Sequence, residues 1–141
     1  MRNLKIKELL EDENIKPEEL AKMLGISGKS KVYEWMRGEY DPSIENIIKM
    51  AEISKCSIEY FIGRTEENSQ TKFKKCPPFD EQLNRVMKQR RKTKSDLIND
   101  GIVNPSHFHR WFKLKASPRL ETLIKLADYL QVSIDYLVGR E

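Results

Sequence analysis

The sequence predicts an all-α protein: two tandem five-helix helix-turn-helix domains joined by a linker. Three observations predict it. Trp35 and Trp111 stand 76 residues apart, and at that offset residues 25–64 lie over 101–140 without a gap, with 14 of 40 paired positions identical. Apolar residues recur every three or four positions, and no segment sustains the alternation of a half-buried strand. Residues that start and stop helices punctuate both copies at corresponding places. The repeat divides the 141 residues into a first domain at 1–65, a linker at 66–79 and a second domain at 80–141. Units of this size fold alone on a modest core.

The elements follow in order. Helix one spans about Leu4 to Asp12, with Leu4, Ile6, Leu9 and Leu10 on its apolar side. Helix two begins at Pro17, whose missing N–H costs nothing at a first helical position. Glu18 and Glu19 fill its first turn, Leu20, Ala21 and Leu24 face inward, and Gly25 ends it. Helix three runs from about Lys29 to Arg37, with Val32, Trp35 and Met36 inward, and stops at Gly38. Helix four follows Asp41-Pro42-Ser43 and carries Ile44, Ile47, Ile48 and Ala51 at helical spacing. A short helix five, Ser57 to Ile62, ends at Gly63, a residue suited to a left-handed cap. The second copy repeats the plan. Leu83 and Val86 mark helix one, Thr93 caps a helix bearing Leu97 and Ile98, and Gly101 opens the turn. Helix three is Ser106 to Lys113, helix four holds Leu120, Leu123, Ile124 and Ala127, and helix five is Ser133 to Val138. The segment from Thr65 to Phe79 is polar and ends in Pro77-Pro78, which reads as a linker extended at its end.

Composition narrows the function. With 34% charged residues, the chain has no apolar run long enough for a membrane span and no apolar N-terminal segment resembling a signal peptide. A cytoplasmic protein without a membrane partner is expected. Two cysteines make no disulfide framework: Cys56, paired with Val132 in the repeat, reads as a small buried hydrophobe, and Cys76 lies in the linker. The net charge of +4 is unevenly spread, with −2 over residues 1–66, +2 over 67–79 and +4 over 80–141. Neither copy carries a recurring nucleophile–base set, a Gly-rich phosphate loop or a carboxylate cluster, so no enzyme and no cofactor are expected. His107 and His109 are two residues apart on a helix and point apart, so no metal site is expected.

Two short helices joined at Gly25 or Gly101, the second exposing polar residues between inward Val or Phe and Trp, form a helix-turn-helix. Leu20-Ala21-Lys22-Met23-Leu24-Gly25-Ile26-Ser27, Trp35-Met36-Arg37-Gly38 and Pro42-Ser43-Ile44 through Ala51 together resemble the Xre/Cro family of lambda-repressor-like domains. Leu120 through Leu130 and Tyr136-Leu137-Val138-Gly139-Arg140 resemble the closing segment of the same family. The resemblance covers nearly everything outside the linker. It implies five-helix domains that bind operator DNA, usually as dimers, and regulate transcription. A major groove about 12 Å wide admits one helix, and helix starts and basic side chains hold the flanking phosphates.

On that resemblance the second copy presents Ser106, His107, His109 and Arg110 to the groove, with Phe108, Trp111 and Phe112 inward. Arg110 suits a bidentate guanine contact. Lys94 stands at the start of helix two, where the family often has a phosphate-touching Gln, and Lys113, Lys115 and Arg119 flank the groove. In the first copy Lys29, Ser30, Lys31, Tyr33 and Arg37 give helix three a mostly basic outer face, and Ser43 joins them from the start of helix four. That copy departs from the family pattern elsewhere: Pro17 fills the Gln position beside Glu18 and Glu19, and Glu34 stands where the second copy has Arg110. Both copies carry one residue more than the family pattern between the turn Gly and the Trp. In both, the acidic residue that often follows the Trp is replaced, by Met36 and Phe112.

The expected function is a sequence-specific DNA-binding regulator, more a repressor than an activator, with the second domain dominant. Its partners are double-stranded operator DNA and a second copy of itself, the latter through the helix-five surface around Tyr60, Phe61, Tyr136 and Leu137. With the sequence ending at Glu141, no ligand-sensing domain and no small-molecule effector are expected. The competing reading is a protein-interaction module in which one or both domains bind another regulator.

Overall fold

Each copy folds on an amphipathic helix set closed by side-chain caps. The computed structural model describes residues 4–68 and 72–141, which form two compact units, Met1–Thr71 and Lys72–Glu141. The first unit contains α1 (Ile6–Asp12), α2 (Pro17–Leu24), α3 (Lys29–Met36), α4 (Ile44–Ser54) and α5 (Ile58–Phe61). The second contains α6 (Phe79–Gln89), α7 (Lys94–Asn99), α8 (Pro105–Phe108) running into a π turn (His109–Lys113), α9 (Leu120–Leu130) and α10 (Ile134–Val138). Among the described residues there is no strand, and no helix is long and apolar enough to cross a membrane.

Local chemistry explains the boundaries. Ser43, Ser57, Thr93, Asn104 and Ser133 each accept a hydrogen bond from a backbone N–H of the helix that follows, satisfying donors that a helix start leaves orphaned. Gly25 and Gly101 end α2 and the turn after α7 with φ of 70° and 74°, a left-handed conformation that favours glycine. The core of the first unit gathers Ile6, Leu9, Leu20, Val32, Trp35, Ile47, Met50, Ile58 and Phe61, with Cys56 also buried. Leu83, Val86, Leu97, Phe108, Trp111, Leu120, Leu123, Leu126, Ile134 and Leu137 do the same in the second.

Two inward positions are corrected. Met36 is 39% exposed, and Phe112 is only half-buried. Helix three lies at the rim of its unit, so its buried stripe is narrow. Val32 and Trp35, or Phe108 and Trp111, fill it, and the next residue turns about 100° away.

The copies also end helix three differently. In the first, Gly38 takes φ of 75° and the Glu39 N–H returns to the Glu34 carbonyl at 3.0 Å. The second copy has Leu114 at that place. Leu114 stays at φ −92° and the left-handed residue moves on to Lys115, at φ 56°. The helix end widens to suit: Leu114 N–H reaches the His109 carbonyl at 3.3 Å, and Ala116 N–H reaches that of Arg110 at 2.9 Å. A π turn thus stands where the first copy keeps an α-helix.

Residues 72–78 lie on the second unit. Lys74 N–H donates to the Arg140 carbonyl at 2.7 Å, and the Phe73 ring covers the Arg140 guanidinium at 4.0 Å. Gly139 has φ of 92°, and a Cβ there would meet Pro77 Cδ at 2.5 Å, so any side chain at 139 would displace this segment.

Candidate nucleic-acid interface

In the second unit the turn between α7 and α8 sets helix three by a reciprocal cap. Asn104 Oδ1 accepts from His107 N–H at 3.2 Å, and His107 Nδ1 accepts from Asn104 N–H at 3.1 Å. Pro105 follows as the first helical residue. The Ser106 hydroxyl donates to Asn104 Oδ1 at 2.5 Å. This part of the expected surface is therefore tied up in positioning the helix. Asn104 was not singled out as a functional residue, although Asn followed by Pro is a legible helix start.

The cap also governs the charge of His107. Nδ1 accepts there, a role it can fill only while it carries no proton. Burial, followed by the nearby cations Arg110, Arg119 and Lys125, lowers its pKa from the usual 6.5. The ring stacks on Trp111 at 5.3 Å, with 7° between the planes. A histidine held neutral when folded stabilises the fold above its unfolded pKa, and that stability is lost as pH falls through the lower folded value. Thermal unfolding reported by Trp111 in a Trp35→Phe chain should shift to lower temperature between about pH 7.5 and about pH 5.5. The shift should shrink in His107→Gln; an equal shift in both proteins would refute the assignment.

Two crevices flank helix three of this unit. One, toward the start of α9, is lined by His107, Arg110, Arg119, Thr122 and Lys125 and by one carboxylate, Glu121, among others. The other, toward α6 and α7, takes Lys94, His109 and Lys113. The structure thus splits the expected residues into two groups on either side of one helix, with His107 and His109 on opposite sides. Arg110, Lys113 and Arg119 are exposed, and among the described residues no carboxylate pairs with them. Lys94 is the first residue of α7, its ammonium 5.4 Å from the Phe108 ring centroid. Lys115 reaches Asp80 at 2.5 Å while its side chain stays 66% exposed. That carboxylate is held below the usual aspartate range, chiefly by its hydrogen bond to Lys115. Thr122 and Lys125, three and six residues beyond Arg119, line the same crevice as Arg110.

The same groove in the first unit has fewer cations and more carboxylates. It is lined by Lys31, Glu34, Trp35, Asp41, Ser43 and Asn46, among others. Glu34 replaces Arg110, and Ser43, whose hydroxyl caps α4 from 3.2 Å, replaces Arg119. Two more expected cations are engaged by carboxylates: Lys29 Nζ lies 3.0 Å from Glu18, and Arg37 makes a forked contact with Glu39 at 2.7 and 3.3 Å. The Lys29 hydrogen bond and charge hold Glu18 below the usual glutamate range. Ser30 and Lys31 are exposed, as is Tyr33.

Trp35 and Trp111 are core residues, 6% and 2% exposed. Phe79 meets Trp111 edge-on at 5.5 Å. On the helix-five surface Phe61 and Leu137 are buried, and Tyr60 and Tyr136 are half-buried.

The comparisons with known proteins agree with this geometry. Residues 6–61 match a family described as helix-turn-helix, and residues 82–141 match one described as a Cro/C1-type HTH DNA-binding domain. A protein of Haemophilus influenzae named as an uncharacterized HTH-type transcriptional regulator is 37% identical over 68 residues. That match takes in 48% of this chain and only 28% of the relative's length. No solved structure matches. The chain thus carries two helix-turn-helix domains in tandem, the second of the Cro/C1 DNA-binding type.

Proposed function

We propose that this chain is a cytoplasmic, sequence-specific DNA-binding regulator of transcription, acting as a repressor, in which the second domain supplies most of the affinity. One observation carries the reading. Around helix three of the second domain Lys94, Arg110, Lys113 and Arg119 are exposed, whereas in the first domain Glu18 and Glu39 engage Lys29 and Arg37, and Glu34 stands in place of Arg110. The similarity of half the chain to a protein named as a transcriptional regulator supports the regulatory role.

In this reading the start of α8 and the π turn enter the major groove, Arg110 reads a base edge, and Lys94, Lys113 and Arg119 hold phosphates on either side. His107 and His109 offer Nε2–H or ring nitrogens to the same groove. Ser106 and Lys115 contribute chiefly by setting the local backbone. The first domain adds a weaker contact through Ser30, Lys31, Tyr33 and Ser43. A homodimer, or the two tethered domains of one chain, would engage half-sites about 34–36 Å apart.

Selection from a random duplex pool by the full-length protein tests the reading. Enrichment of a short half-site is the expected result, and no enrichment at moderate salt would overturn it. With the selected duplex, the affinity should fall linearly with salt on logarithmic axes, and Lys94→Ala should reduce the slope by about 0.9 for the one phosphate lost. An unchanged slope would remove Lys94 from the interface. A second reading applies to the first domain alone: Glu18, Glu34 and Glu39 on its helix-turn-helix favour a basic protein partner there. Retention of full affinity after Lys31→Ala would support that division of labour.

A further inference from the structure

The crevice between α6, α7 and the π turn joins cations to an apolar wall. Its volume is about 570 Å³, within the range of small-molecule sites. Its apolar wall is built from Met87, Pro105, Phe108 and Phe112, and its rim carries Lys88, Lys92, Lys94 and Lys113 without a lining carboxylate. Phosphates are held by cations and backbone N–H groups and gain nothing from an apolar floor. Lysine side chains beside two phenyl rings, with the Lys92 ammonium turned to the Tyr129 ring at 5.0 Å, match instead a molecule with one anionic end and an apolar body. The ammonium of Lys94 already lies over the Phe108 face, at the junction of the apolar and charged parts.

The crevice belongs to the second copy's sequence. Val32 and Met36 stand where Phe108 and Phe112 line it, so the aromatic wall is particular to this domain. The π turn brings His109, Phe112 and Lys113 into the lining of the crevice. Helical irregularities of this kind are frequent at functional sites.

We infer that this crevice is a binding site for a small anionic amphiphile, a carboxylate or sulfonate on an aromatic or aliphatic body, and hence that the second domain has an effector site within the helix-turn-helix itself. This departs from the sequence-based expectation of no effector, which considered only an appended domain. Lys94, His109 and Lys113 also belong to the proposed DNA face, so a bound ligand would compete with DNA. That consequence rests on the functional reading above; the ligand site does not.

The test uses the full-length protein without DNA. Anilinonaphthalene sulfonate, a fluorescent anionic amphiphile, should bind saturably with a stoichiometry of one per chain. The uncharged analogue N-phenylnaphthylamine should bind at least about tenfold more weakly, the scale of one lost charge-assisted contact. Lys88→Glu, on an exposed side chain outside the proposed DNA face, should weaken the sulfonate by about the same factor. Phe112→Ser should weaken both probes, while Tyr40→Ser, at a 65% exposed aromatic of the first unit, should change neither. Equal affinity for the two probes, or sulfonate binding indifferent to both Lys88→Glu and Phe112→Ser, would overturn the inference. If Phe112→Ser unfolds the domain, Lys88→Glu and the charged-to-neutral comparison still decide it.

Discussion

Arg110→Ala in the full-length protein is expected to weaken binding to the selected duplex by about 5- to 150-fold, the factor matching the roughly 1–3 kcal/mol of one bidentate base contact. The loss should be specific to sequence: duplexes changed at one guanine should be bound equally by wild type and variant. Arg110 is suited to this because its guanidinium is exposed beside the α9 groove with no carboxylate partner among the described residues. A loss of the same size on every duplex would reduce Arg110 to a phosphate contact, and no loss would move recognition elsewhere. The matching variant in the first domain, Glu34→Ala, should leave affinity unchanged or raise it, since it removes a carboxylate from the equivalent groove.

The second large effect concerns stability. Both domains close on an arginine paired with an acidic residue five positions earlier, but in different surroundings. Arg140 Nη1 lies 2.8 Å from Asp135 Oδ1 with both side chains 1% exposed. Arg64 Nε lies 2.7 Å from Glu59 Oε2 with the pair 30% and 17% exposed. Removing one partner of a buried pair leaves the other charge in a poorly solvated place and costs about 3–5 kcal/mol. A half-buried pair lies between that and the about 0–1 kcal/mol of a fully exposed one. Arg140→Met should therefore destabilise the second domain by the larger amount, and Arg64→Met the first by clearly less. Each domain contains one tryptophan, so denaturant unfolding in Trp35→Phe and Trp111→Phe backgrounds reads the two separately. Arg140→Met combined with Asp135→Leu should recover most of the loss, because no charge is then left behind. Equal effects of the two Arg→Met variants would show that the cover from Phe73 and the 72–78 segment does not isolate the pair.

Much of this was legible before any coordinates. The repeat, the all-helical class, the helix starts at Pro17 and Thr93 and the stops at Gly25, Gly38 and Gly101 all follow from interactions within about four residues along the chain. The outward placement of Arg110 and Lys113 beside buried Trp111 follows from the same periodicity. Met36 and Phe112 were misplaced because periodicity gives the direction of a residue and not the width of the surface that covers it.

The sequence by itself determined that two copies of one helix-turn-helix plan are present, where their helices start and stop, and that the second copy is the more basic. The tertiary structure decided which of those charges are available. Lys29 meets Glu18 from eleven positions away, Lys115 meets Asp80 from thirty-five, and the segment ahead of α6 closes over Arg140. It also gathered lysines from α6, α7 and the π turn around one apolar crevice. The physical reason is range. Caps and helical periodicity are satisfied by near neighbours in sequence, whereas ion pairing, desolvation and cavity shape depend on which distant segments the fold brings together.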